Sequence, residues 1–193
     1  GHVEGNGTAS SNSVILAATS TSTDGEVTYS YTSVIGTIYG GGVGSGTASS
    51  NSVILSGGSA SAVYGGYVGQ PLPTVVSSGT ASGNSVAIDH SNADSRTTSV
   101  SGDVAGGYVR GVTTVVSGNS VTIGQTSGTT AIGGNVRGGY ACVYGLLENT
   151  TAAATMTSNT VKVSGGSIAG SVAGGALAIT SGNCGTIQVS ASG

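Results

Sequence analysis

Two short segments, each alternating apolar and polar residues with period two, recur along the chain. The first reads Asn-Ser-Val-x-Ile and begins at Asn12, Asn51, Asn84, Asn119 and Asn159 (NSVIL, NSVIL, NSVAI, NSVTI and NTVKV), with a degenerate sixth copy, NCGTI, from Asn183 to Ile187. Strict alternation over this length predicts half-buried strands. Val14/Leu16, Val53/Leu55, Val86/Ile88, Val121/Ile123 and Val161/Val163 share one side, and Ser13, Ser52, Ser85, Ser120 and Thr160 the other. The second segment ends in Gly-Gly, usually followed by Tyr. Its copies are VIGTIYGGG (34–42), SASAVYGGY (59–67), VSGDVAGGY (100–108), IGGNVRGGY (132–140) and IAGSVAGGA (168–176). Here Ile38, Val63, Val104, Val136 and Val172 are expected to point inward. So is the small residue two before each (Gly36, Ser61, Gly102, Gly134, Gly170), as though two walls approached closely. The Gly-Gly pairs are expected to supply positive φ at corners.

One such unit cannot bury its apolar side alone. Stacking units about 4.8 Å apart pairs each strand with its copies and closes a continuous narrow core. The expected fold is therefore all-β: a β-solenoid of five to six irregular repeats, with open, uncapped ends, as a single domain over residues 1–193. The five well-formed Asn are expected to stack as a ladder at one corner, as are Tyr67, Tyr108 and Tyr140. Successive Asn lie from 24 residues (Asn159 to Asn183) to 40 residues (Asn119 to Asn159) apart, so loops of unequal length project from a regular spine.

Composition sharpens this picture. Of 193 residues 37 are Gly, with no Phe and no Trp, which suits a core too thin for large rings. Charged residues are 6% of the chain, against about 25% in ordinary domains. Disorder couples low hydrophobicity to high net charge, whereas here the net charge is −3 and Val and Ile far outnumber Leu. Four basic residues (Arg96, Arg110, Arg137, Lys162) build no nucleic-acid footprint. No apolar run reaches the roughly 20 residues of a membrane span, so no membrane insertion is expected. The chain starts at Gly1 rather than Met and carries no signal peptide, as a processed secreted protein or an excised fragment would.

GTASSNSVILSGGSASAVYGGYV, residues 46–68, resembles the repeat of bacterial surface adhesins, the Gly/Ser/Thr-rich autotransporter-type passengers with β-helical stems. The resemblance covers nearly the whole chain. It implies a right-handed parallel β-helix, an extracellular or cell-surface location, and a stalk, adhesion or aggregation role. The chain departs from that family in lacking a translocator barrel or anchor.

Neither end reads as a cap. Gly1-His2-Val3 looks like the end of a second segment (compare Gly66-Tyr67-Val68), and Asn183 to Ile187, continued by Gln188 and Val189, looks like a first segment. Set end to end, two copies would nearly continue the repeat. An open head-to-tail filament and a segment of a longer covalent array both follow from this. Gly1, His2, Val3, Asn183, Ile187 and Val189 are the candidate assembly interface.

The chemistry-bearing residues are few. Cys142 and Cys184 are too few for a zinc site or a disulfide scaffold. An intrachain bond, an intersubunit bond and free thiols are all open to them, and bridging needs Cα atoms within about 7 Å. Asp24/Glu26 and Asp89/His90/Asp94 are polar loop clusters in which no acidic pair recurs. His2 and His90 have no partner at ligand spacing, so no metal, cofactor or catalytic residue is expected. Ile15 and Ile54 sit in the outward column, where they serve a lateral contact or lie under the loop spanning 17–33. The leading expectation is a non-enzymatic structural subunit that partners itself. The alternative is an adhesin segment whose variable loops touch host or bacterial glycans.

Overall fold

The computed structural model describes residues 2–17, 19–23, 26–30, 33–69, 78–90, 97–144, 151–180 and 186–192. Among them every regular element is a strand, as β-branched residues with little charge favour. The first layer holds β1 (His2–Ser10), β2 (Ser13–Leu16) and a hairpin of β3 (Thr19–Thr23) and β4 (Glu26–Ser30). Then come β5 (Ser33–Ser49) and β6 (Ser52–Leu55), followed by β7 (Ser59–Val68), β8 (Ser78–Ser82) and β9 (Ser85–His90). The fourth layer is β10 (Thr97–Val100), β11 (Val104–Gly111), β12 (Thr113–Ser117) and β13 (Ser120–Gln125). The fifth is β14 (Thr129–Ile132), β15 (Val136–Tyr144), β16 (Thr151–Thr157) and β17 (Thr160–Val163). The last is β18 (Ser167–Ile168), β19 (Val172–Thr180) and β20 (Thr186–Ser192).

All layers pair in parallel, so the chain is a β-solenoid of about four turns. Four walls run its length. The Asn wall stacks β2, β6, β9, β13 and β17 with every Asn-Ser-Val copy in register. A short wall stacks the starts of β5 and β7 with β10, β14 and β18. The Gly-Gly wall stacks the middles of β5 and β7 with β11, β15 and β19. A closing wall stacks the ends of β1 and β5 with β8, β12, β16 and β20. Among the described residues only β3 and β4 pair antiparallel.

Three expectations are corrected. The Gly-Gly pairs turn no corner: Gly65-Gly66, Gly106-Gly107 and Gly138-Gly139 lie inside strands and have no positive φ. They are bare because the interior leaves no room for a Cβ. One added at Gly106 would lie 2.5 Å from the Gly138 carbonyl oxygen, and one at Gly107 2.6 Å from the Asn119 amide. The positive-φ corner is instead the residue before each Asn, at Ser11, Ser50, Gly83, Gly118 and Ser158, with φ between 53° and 62°. A left-handed non-Gly residue costs about 1–2 kcal/mol, so three serines there mark a turn imposed by its surroundings.

Second, Gly102, Gly134 and Gly170 do not line a gap between walls. They lie at the corner between the short and Gly-Gly walls, where a Cβ would strike backbone of the layer before. Third, Ile187 does not continue an Asn segment. Thr186 and Ile187 pair with Thr151 and Ala152, so β20 belongs to the closing wall.

The core has two apolar lobes. One lies between the Asn, short and Gly-Gly walls and includes Leu55, Val63, Ile88, Val104, Ile123 and Val136. The other lies between the Gly-Gly and closing walls and includes Val43, Val68, Val109, Val116, Ala154 and Met156. The buried Asn51, Asn84 and Asn119 lie against the Gly-Gly pairs, a polar waist between the two lobes.

Candidate self-association faces

The Asn side chains are inside because the waist satisfies them completely. Asn84 Nδ2 donates to Asn119 Oδ1 (2.9 Å) and to the Ala48 carbonyl (2.9 Å), while its backbone N–H donates to Asn119 Oδ1 (3.0 Å). Its own Oδ1 accepts from the Asn51 backbone N–H (3.0 Å) and Nδ2 (2.9 Å). The pattern repeats from Asn12 to Asn51 and from Asn119 to Asn159. Asn51, Asn84 and Asn119 thus each tie three layers, and the Asn-to-Asn bonds have a direction: each Asn donates to the next Oδ1 toward the C-terminal end and accepts from the Asn before it, while its other Nδ2 proton reaches back to a carbonyl of the preceding layer. Buried amides left without partners cost about 1–3 kcal/mol each, so the ladder fixes register as well as contributing stability.

Outside the Gly-Gly wall runs a second stack. Tyr67 and Tyr108 lie parallel at 5.0 Å, and Tyr140 meets Tyr108 edge-on at 5.0 Å. Tyr39 and Tyr64 form an adjoining row, 5.7 Å apart, which the sequence did not single out. Arg137 covers the Tyr140 ring at 4.4 Å and donates to Asp103 Oδ2 at 2.7 Å. Burial, Asp103 and the neighbouring rings push the Tyr64 hydroxyl up to about 12, and burial and nearby groups raise Tyr67 and Tyr108 as well. At Asp103 burial opposes ionisation, but hydrogen bonds from Asn135 and Arg137 prevail and hold the carboxyl below its usual range.

At the C-terminal face the core lies open. Val163, Val172, Ile179 and Val189 are 45%, 50%, 54% and 53% exposed, yet their register partners one layer earlier, Ile123, Val136, Val143 and Ala154, are sealed. Of the residues expected at the interface, His2 and Val3 pair with Gly42 and Val43, the places Tyr67 and Val68 hold one layer on. Val189 pairs with Ala154. Gly1 and Asn183 lie outside the described residues, and so does Cys184. Cys142 is buried in the Gly-Gly wall between Arg110 and Ala178.

The ends also differ in phase from the sequence expectation. Because β20 is a closing-wall strand and β1 enters halfway along the Gly-Gly wall, a second copy set on β20 would match the closing wall directly. It would leave β17, β18 and the start of β19 without a strand over them.

Elsewhere, Asp89 accepts from the Thr126 backbone N–H (2.8 Å) and hydroxyl (2.6 Å), and buried His90 meets Thr98 at 2.9 Å. Asp24 and Asp94 lie outside the described residues. Among the described residues no three of His, Cys, Asp and Glu gather as metal ligands would. Ile15 and Ile54 are 65% and 38% exposed, so the outward column there presents apolar surface to solvent. Comparison with protein-family models, with curated proteins and with solved structures finds no match for this chain.

Proposed function

We propose that the protein is a structural subunit that associates end to end through its open solenoid faces, as part of an extracellular filament or surface stalk. The observation that carries this reading is the half-exposed core of the last layer. Val163 on β17 and Val172, Ile179 and Val189 on β19 and β20 are the exposed apolar side chains, and their register partners one layer earlier are sealed. Burying apolar surface is worth about 25 cal/mol per Å², and open edge strands supply the directional part by backbone pairing. Few charged side chains guard these edges. The cell-surface setting is the part of the proposal that rests on reading residues 46–68 as an adhesin-like repeat. A second reading, an adhesin segment, draws on the hairpin β3–β4, which departs from the spine between the Asn and short walls.

Sedimentation velocity over a concentration series tests the proposal. Association is expected to grow with concentration and to vanish in Val189→Asp, which places a charge on the open end. Lys162→Glu, on the outward face of β17, should associate as the parent does. A parent chain that stays monomeric at all concentrations overturns the reading.

A further inference from the structure

Five of the chain's eight tyrosines gather outside the Gly-Gly wall, and their rings meet in different ways. Tyr67 and Tyr108 are register partners on β7 and β11, with centroids 5.0 Å apart and planes 9° from parallel. Tyr108 and Tyr140 are as close, at 5.0 Å, but cross at 68°. Tyr39 and Tyr64 are stacked at 23° but lie 5.7 Å apart, and Tyr64 meets Tyr67 and Tyr108 at 51° and 58°. Tyr67–Tyr108 is therefore the one contact of the stack that is both close and parallel. Both residues are partly exposed, so an oxidant in solution reaches them. Ring orientation decides what oxidation does there. A phenol that loses one electron and one proton becomes a phenoxyl radical, whose unpaired electron lies in a π orbital perpendicular to the ring, with density on the carbons ortho to oxygen. Two such rings join face to face, lobe against lobe, and a ring met edge-on offers no such overlap.

We infer that Tyr67 and Tyr108 are an oxidative modification site, at which a haem peroxidase with hydrogen peroxide, acting as a one-electron oxidant, joins the two rings by a bond between ortho carbons. Each ring gives one electron to the oxidant and its hydroxyl proton to water. The two unpaired electrons form the new bond. Each bonded carbon then releases its hydrogen as a proton while its ring oxygen takes one up, which restores both aromatic rings. The chain loses two hydrogens in all, and one peroxide is reduced to two waters. The bond turns two layers held by backbone pairing and packing into one covalent unit, and it closes residues 67–108 into a loop that restricts the unfolded chain. Cys142 lies in the same wall, but its burial shields the thiol from an oxidant in solution. The inference goes beyond the end-on reading and does not depend on it, because both rings belong to one chain and stand on its side.

The test is to treat the dilute chain with a haem peroxidase and hydrogen peroxide, digest it with trypsin and weigh the fragments. Cleavage after Arg96 and Arg110 leaves Tyr108 as the one tyrosine of fragment 97–110, with Tyr67 in fragment 1–96 and Tyr140 in fragment 138–162. Fragment 97–110 should be found joined to 1–96 with the loss of two hydrogens. Tyr67→Phe, which keeps the ring and removes the hydroxyl, should lower the yield at least tenfold. Tyr140→Phe should link as the parent does, and oxidation in denaturant should lose the preference for 1–96. Absent linkage in the folded chain, linkage chiefly to 138–162, or the same pattern in denaturant overturns the inference. So does undiminished linkage in Tyr67→Phe, linkage that rises with chain concentration, or linkage found only in Cys142→Ser. Sedimentation of the untreated chain scores end-on association separately, so either reading can fail without the other.

Discussion

Val136 and Val172 hold the same place in successive layers of the Gly-Gly wall, yet one is sealed and the other half exposed. Everything that distinguishes the interior of this solenoid from its C-terminal end is contained in that pair. Inside, each layer is held by backbone pairing on both edges, by an Asn that reaches two neighbours, and by an apolar side chain covered from both sides. At the end each of these is half complete. A solenoid is stable as a sum of layers and nearest-neighbour contacts, so the same substitution should cost more inside than at the end.

The largest contrast is expected at the Gly-Gly pairs. Gly106→Val drives its Cβ against the Gly138 carbonyl oxygen and the Ser120 backbone, none of which can move alone. It should fail to fold or lose more than about 4 kcal/mol in chemical denaturation. Gly175→Val meets only the Met156 methyl at 2.7 Å and should cost about 1 kcal/mol. Equal losses would mean that the pairs are not bare for want of space.

Next comes the ladder. Asn84→Ala leaves the Asn51 backbone N–H and Nδ2 without an acceptor and the Ala48 carbonyl without its amide donor. At about 1–3 kcal/mol for each buried group, the loss should reach at least about 3 kcal/mol. Asn12→Ala removes only the Nδ2 donor to Asn51, keeps the backbone N–H bond, and should cost about 1 kcal/mol. Below that, Val136→Ala should cost about 2 kcal/mol through its cavity, and Val172→Ala less than about 1 kcal/mol. End-on association leaves this order in place, because β1 begins at the register position of Ala176 and does not reach Val172.

The smallest effect concerns pH. The tyrosine stack ends one layer short of the C-terminal face, where Ala176 takes the place of Tyr140. The fold holds Tyr64 neutral up to about 12, against 10.0 for a free phenol. A raised folded pKa contributes stability that is whole below pH 10 and is lost as pH climbs toward 12. Absorbance titration should show part of the tyrosine ionising well above pH 10, with denaturation midpoints falling over that window. Uniform ionisation near 10 would place the stack in solvent.

Much of this was legible in the sequence. Period-two alternation placed the Asn-wall strands in register, and the repeated Asn predicted a ladder. Composition hid the rest, because Gly serves two needs that look alike in a sequence. It is used for positive φ at Gly83 and Gly118, and for absent volume at Gly106 and Gly107. The signal that separates them was available: each described Gly-Gly pair from Gly40-Gly41 to Gly138-Gly139 accompanies one Asn, as a flat wall facing a side chain would. The Asn183 copy misled because Asn183 and Ile187 alone satisfy the spacing of the pattern. Ser192-Gly193, matching Ser82-Gly83 and Ser117-Gly118, was the better guide to the wall. Open ends were expected from the sequence, but which side chains they expose was not, since that depends on which strands have a neighbour above them.

Electron cryomicroscopy of the concentrated protein tests the central claim most directly. The account predicts unbranched filaments one solenoid wide, with strand layers about 4.8 Å apart running without a break along the closing wall from one subunit to the next. Single particles at every concentration, or particles joined side to side through Ile15 and Ile54 with both end faces bare, would contradict it.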